Sequence, residues 1–149
     1  MSHDPDPKQD AEQIRSAAAV FRAAILRCPR SDLPTLKNFP HGSCGDAAML
    51  LGQYFLDLAL GLWEYAGGVR ETDLQSHAWL ERTGLIVDIT ADQFEPVDQP
   101  VIVTRDRSWH AQFVYPEPRH AVRISDYDPG TQTRLRPIYD RIEAALKSS

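Results

Sequence analysis

Apolar residues in the first part of the chain recur at helical spacing. Ile14, Ala18, Phe21 and Ile25 step four, three and four, which lays one stripe along a helix beginning near residue 10. Pro29 has no amide hydrogen to give and ends it. Residues 29–43 hold Pro29, Pro34, Pro40 and Gly42. They read as a long irregular connection, and loops of that length often carry function. A second stripe, Ala48, Leu51, Phe55, Leu58 and Leu62, predicts a helix over 44–60 with Gly61 as its C-terminal cap.

The pattern then changes period. Residues 62–70 read as a strand with Gly67-Gly68 near its end. Residues 75–81 and 85–90 read as a hairpin turning at Thr83-Gly84. An acidic, proline-bearing loop follows, then short strands at 101–104, 111–115 and 121–125. The end returns to helical spacing: Leu135, Ile138, Ile142, Ala145 and Leu146 share one side of a helix over 131–146, with Pro137 expected to shift its start. Helices first, strands in the middle and a helix last predict an α+β fold on an antiparallel sheet.

Composition narrows the possibilities. The chain has 149 residues, 42% hydrophobic, which suits one domain able to bury roughly two-thirds of its unfolded surface. Residues 1–9, with two prolines and little apolar matter, are expected to be a flexible tail, and 10–149 a single domain. No apolar run reaches the roughly 18 residues of a membrane span, so no membrane association is expected. The formal charge of −5 argues against a dedicated nucleic-acid binder. The polar start lacks the features of an export signal. Cys28 and Cys44 are therefore expected to be reduced thiols in a cytoplasm, Cys28 structural. No paired-cysteine or His-Glu-x-x-His pattern calls for a metal, and no glycine-rich phosphate loop calls for a nucleotide; no cofactor is expected.

One constellation carries chemistry. Cys44 falls where the turn Gly42-Ser43 hands over to the second helix. Unpaired N–H groups and the helix dipole favour negative charge at that point, so a thiolate gains there. Small neighbours leave room for a substrate, and the Cys44 backbone N–H can face a developing oxyanion. Asp46 works against the thiolate and is placed to cap the helix. His77 lies in the first hairpin strand and Asp88 in the second, between Val87 and Ile89. An ionised carboxylate avoids such surroundings unless it has a partner. A four-residue loop at 81–84 sets His77 directly opposite Asp88. A two-residue loop, Thr83-Gly84, sets them diagonally on one face, about 7–8 Å apart and within reach. A three-residue loop sets them on opposite faces.

These residues resemble the transglutaminase-like branch of the papain-like cysteine enzymes. Gly42-Ser-Cys-Gly-Asp-Ala-Ala is similar to that family's Gly-x-Cys helix start, and Trp63-Glu-Tyr-Ala-Gly-Gly-Val69 to its strand ending in glycine. His77-Ala-Trp-Leu-Glu81 is similar to its His-Ala-Trp-x-Glu strand, and Asp88-Ile-Thr90 to its Asp-Pro-Thr, with Ile89 in place of the proline. The likeness runs over residues 39–94. It implies a nucleophile-bearing helix packed on the antiparallel sheet, with Cys44 as nucleophile, His77 as general base and then acid, and Asp88 as the group that orients it. It also implies an amide or peptide hydrolase, deamidase or transglutaminase that acts on a peptide or protein. The alternative is a non-catalytic protein-binding module on the same fold. Gly45 stands where the family often has an aromatic residue, so oxyanion support falls to Gly45, Asn38, His41 and Gln93 by proximity in sequence.

Asp92-Gln93-Phe94 reads either as a cleft rim with Gln93 aimed inward or as an ordinary polar turn, with Phe94 expected to be an anchor. His110 is expected to be a surface or cleft-edge histidine, because no strand-paired acid accompanies it. Arg105, Arg107, Arg119 and Arg123 are expected to form a solvated face.

Overall fold

The computed structural model of the protein describes residues 7–148, with side chains from residue 10 onward. Helix α1 (Pro7–Arg27) buries Ile14, Ala18, Phe21 and Ile25, the stripe read from the sequence, together with Ala24. It starts three residues earlier than its periodicity suggested, so the expected tail is shortened; residues 1–6 of that tail lie outside the described residues. The proline-rich connection is not loose. Two 3₁₀ turns, Arg30–Asp32 and Pro34–Leu36, bring Leu33, Leu36 and Phe39 into the core.

Helix α2 (Cys44–Asp57) buries Ala47, Ala48, Leu51 and Phe55. It ends before the predicted cap. Leu60 N–H donates to Phe55 O and Ala59 N–H to Leu56 O, with Ala59 at φ 58°. That is the Schellman closure, made on an alanine two residues ahead of Gly61. Leu58 and Leu62 consequently fall outside the stripe and are 46% and 41% exposed.

The sheet is open and antiparallel. Its strands are β1 (Glu64–Val69), β2 (Ser76–Arg82), β3 (Leu85–Asp88), β4 (Ile102–Thr104), β5 (Tyr115–Pro116) and β6 (His120–Ala121). The order is β4-β3-β2-β1-β5, with β6 also pairing along β1. The strands expected over 111–115 and 121–125 are reduced to these short pairings, flanked by 3₁₀ turns His110–Gln112 and Ile124–Asp126. Pro116 and Pro118 remove ladder donors there and keep the edge short. Gly67 and Gly68 allow close approach on both sides of β1. A Cβ at Gly67 would stand 2.7 Å from the His77 carbonyl oxygen, and one at Gly68 2.5 Å from that of Phe113.

Both faces of the sheet are covered, so β2 is buried nearly throughout. Leu80, Leu85, Val87 and Ile89 join the main core with α1, α2 and the C-terminal helix α3 (Pro129–Lys147). The opposite face carries a second cluster: Ala66, Trp79, Ile86, Phe94 and Phe113. Strand alternation puts His77 and Asp88 on that aromatic side. Helix α3 starts at Pro129 behind an Asp128 cap, and Pro137 sits inside it without displacing its start. Among the described residues no helix is long and apolar enough to cross a membrane.

Candidate functional site

The hairpin makes the geometry. Leu80 pairs with Val87 and Arg82 with Leu85, so the loop is the two residues Thr83 and Gly84. Both have positive φ, 49° and 81°, as a type I′ turn requires. Asp88 therefore stands diagonally from His77 on one face. The two side chains close the gap: His77 Nε2 lies 2.7 Å from Asp88 Oδ2, and neither side chain is exposed. The imidazole is walled by Phe94 and Trp109, edge-on at 5.0 and 5.7 Å between ring centres, and by Phe113 at 5.3 Å.

Asp88 takes more than one bond. Its Oδ1 accepts the Thr90 N–H at 3.0 Å, and its Oδ2 lies 2.7 Å from His110 Nε2. Burial alone would raise the Asp88 pKa. The charge on His77 and the hydrogen bonds from His110 and His77 outweigh it and hold the carboxyl well below its usual range. For His77, burial pulls the pKa down. The Asp88 charge and hydrogen bond, followed by the hydrogen bond and charge of Cys44, push it up to about 9.

With Nε2 spent on Asp88, Nδ1 is the ring nitrogen left for another partner. Gln93 Nε2 lies 3.3 Å from His77 Nδ1. Cys44, the first residue of α2, is partly exposed and borders a cavity of about 440 Å³ together with Ser43, Gly45, Ser76, Gln93 and Arg134. The structure thus brings Cys44, His77, Asp88, Gln93 and Gly45 together. Asn38 and His41 are exposed in the preceding connection and do not line this cavity. Asp46 does not cap α2; it pairs with Arg134 at 3.1 Å.

The histidine set aside by sequence reasoning proves central. His110 is 3% exposed, not a surface residue, though it borders two cavities, and its acid partner is Asp88 itself. Strand pairing could not reveal this, because His110 opens a 3₁₀ turn rather than a strand. The available signal was its bracketing by Trp109 and Phe113, two large rings that a solvated turn rarely carries. Tyr65 also went unnoticed. A Cβ on Gly45 would lie 3.3 Å from the Tyr65 hydroxyl oxygen. Burial, Glu117 and Cys44 hold that phenol well above its ordinary pKa, so it stays a proton donor beside the start of α2. The arginines are mostly engaged: Arg107 and Arg119 both pair with the buried Glu81, at 2.7 and 3.0 Å.

Among the described residues, His77, Asp88 and His110 also bring ligand atoms within 4.8 Å of one another, close enough to hold a metal ion. Tetrahedral zinc ligands sit roughly 3.3 Å apart given their bond lengths. The 2.7 Å contacts of both Nε2 atoms to one oxygen are hydrogen-bond distances instead. Compared with models of known protein families, with curated proteins and with solved structures, the chain gives no match.

Proposed function

We propose that this chain is a thiol-dependent acyl-transfer enzyme of transglutaminase-like, papain-like type, acting on an amide or peptide carbonyl of a protein substrate in a reducing, cytoplasmic compartment. The observation that carries the reading is the orientation of His77. Its Nε2 is fixed on Asp88, which leaves Nδ1 as the nitrogen that serves Cys44. An imidazole held near pKa 9 is charged at neutral pH and stabilises a neighbouring thiolate.

Cys44 Sγ attacks the carbonyl carbon after its proton has passed to His77 Nδ1. The oxyanion is met by the Cys44 backbone N–H and by the Gln93 side-chain amide on the cavity wall. The C–N bond breaks as His77 returns its proton to the departing nitrogen, leaving a thioester. Water or an amine, deprotonated by His77, attacks the thioester and restores the thiol. Asp88 keeps the imidazole in one tautomer and balances its charge throughout.

The test is alkylation by iodoacetamide. Cys44 is expected to react fast at pH 6–7 and to slow in His77→Ala. Labelling no faster than free cysteine, or unchanged in His77→Ala, would overturn the enzyme and leave a protein-binding module.

A further inference from the structure

We infer that His110 is a positioning residue of this thiol chemistry, holding the Asp88 carboxylate in the one orientation that fixes His77. The inference rests on the proposed reaction, in which His77 must present Nδ1 to the sulfur.

Without His110, the Asp88 carboxylate would hold His77 on Oδ2 and the Thr90 amide and hydroxyl, at 3.0 and 3.5 Å, on Oδ1. His110 adds a donor from a separate element, on the same Oδ2 that His77 uses and at the same 2.7 Å. The carboxylate is then pinned by β2, by the backbone just after β3 and by the turn after β4. The His110 ring is itself immobilised, edge-on to Trp79 at 4.6 Å and to Trp109 at 4.8 Å.

The same geometry gives His110 a different task from that of His77. Donation to Asp88 places its hydrogen on Nε2. Its Nδ1 is buried and accepts no hydrogen bond from the protein. A lone pair is the cheaper occupant of such a site than an unpaired N–H donor. His110 is a static donor, and the atoms that move protons remain His77 and Cys44.

The test compares His110→Leu, which keeps bulk without a donor, with His110→Gln, whose amide N–H reaches as far as Nε2. In the leucine variant, iodoacetamide labelling of Cys44 at pH 7 is expected to slow about tenfold, the lower end of what loss of an orienting partner costs. The His77 Nε2–H resonance should exchange with solvent in that variant. His110→Gln is expected to restore both readouts. A packing role would be met by leucine and not by glutamine, so equal behaviour of the two variants overturns the inference. A measurement on the unaltered protein guards against misfolding of the leucine variant: nitrogen-15 shifts must show His110 as the Nε2–H tautomer, and the Nδ1–H tautomer overturns the inference. Slow labelling of the unaltered protein would defeat the enzyme instead, while the tautomer and the His77 resonance would still decide the role of His110.

Discussion

His77 and Asp88 are joined at 2.7 Å although they are not cross-strand partners; the register of the hairpin sets them on a diagonal. The contact replaces hydration that both groups lose on burial. Asp88→Asn would keep the shape and remove the charge. Burial of His77 is then opposed by Cys44 alone, so its pKa should fall well below about 9. An NMR titration of the ring reads this directly. Alkylation of Cys44 should drop with it to the rate of an ordinary thiol, and a His77 pKa unmoved by the substitution would contradict the electrostatic account.

The same pair links stability to pH, in opposite directions for its two members. Asp88 has a lowered folded pKa, so its contribution is present above about pH 4 and is lost as the pH falls through the folded value. His77 has a raised folded pKa. Its contribution is complete below pH 6.5 and is lost as the pH rises through about 9. Urea unfolding should therefore weaken between pH 6.5 and 9 by at most on the order of 3 kcal/mol. The weakening should vanish in His77→Gln, and a flat profile in the unaltered protein would refute the linkage.

The helices and the hairpin were legible because each rests on local chemistry. The apolar stripe of α1, the Thr83-Gly84 turn and the acid between Val87 and Ile89 are all short-range signals. The hairpin alone allowed three registers, and the I′ turn chose the diagonal one. What stayed hidden depends on contacts between segments distant in sequence. The end of α2 is the local exception: Gly61 looks like a better cap than Ala59, but the Schellman bonds from Ala59 and Leu60 close the helix first. His110 meets Asp88 across 22 positions, and Tyr65 reaches Gly45 only because β1 runs beside α2. No pattern along the chain encodes either meeting.

Arg22 holds the site from behind. It lies in α1, is 9% exposed, and forms a two-oxygen pair with Asp92 at 3.0 and 2.7 Å while donating to the carbonyls of Ile89 and Pro100. These bonds tie α1 to the segment that carries Gln93. Arg22→Met leaves a carboxylate and two carbonyls without their donor, at a cost of about 3–5 kcal/mol. Arg22→Lys should recover little, because an ammonium lacks the planar fork. Urea unfolding gives the magnitude, and hydrogen exchange should rise over residues 89–100. Loss of stability without that local rise would mean that Arg22 supports the core and not the site.

Gly52 tests the seam between α2 and the far edge of the sheet. In a helix interior, alanine is favoured over glycine by roughly 1 kcal/mol. Here a Cβ would meet Val122 Cγ1 at 2.7 Å and its Cβ at 2.8 Å. Val122 is fully buried, and its amide donates to the Trp63 carbonyl at 2.8 Å, so it has nowhere to retreat. Overpacking of this kind costs about 1–3 kcal/mol. It should outweigh the propensity gain, and Gly52→Ala should lower the urea midpoint. Val122→Ala opens the space. The double variant should then be more stable than the sum of the two single losses implies. Cys44 lies eight positions away along α2, roughly 12 Å at the helical rise. Its alkylation rate should stay that of the unaltered protein. A midpoint that rises in Gly52→Ala would show that the valine yields and that this seam is looser than its contacts imply.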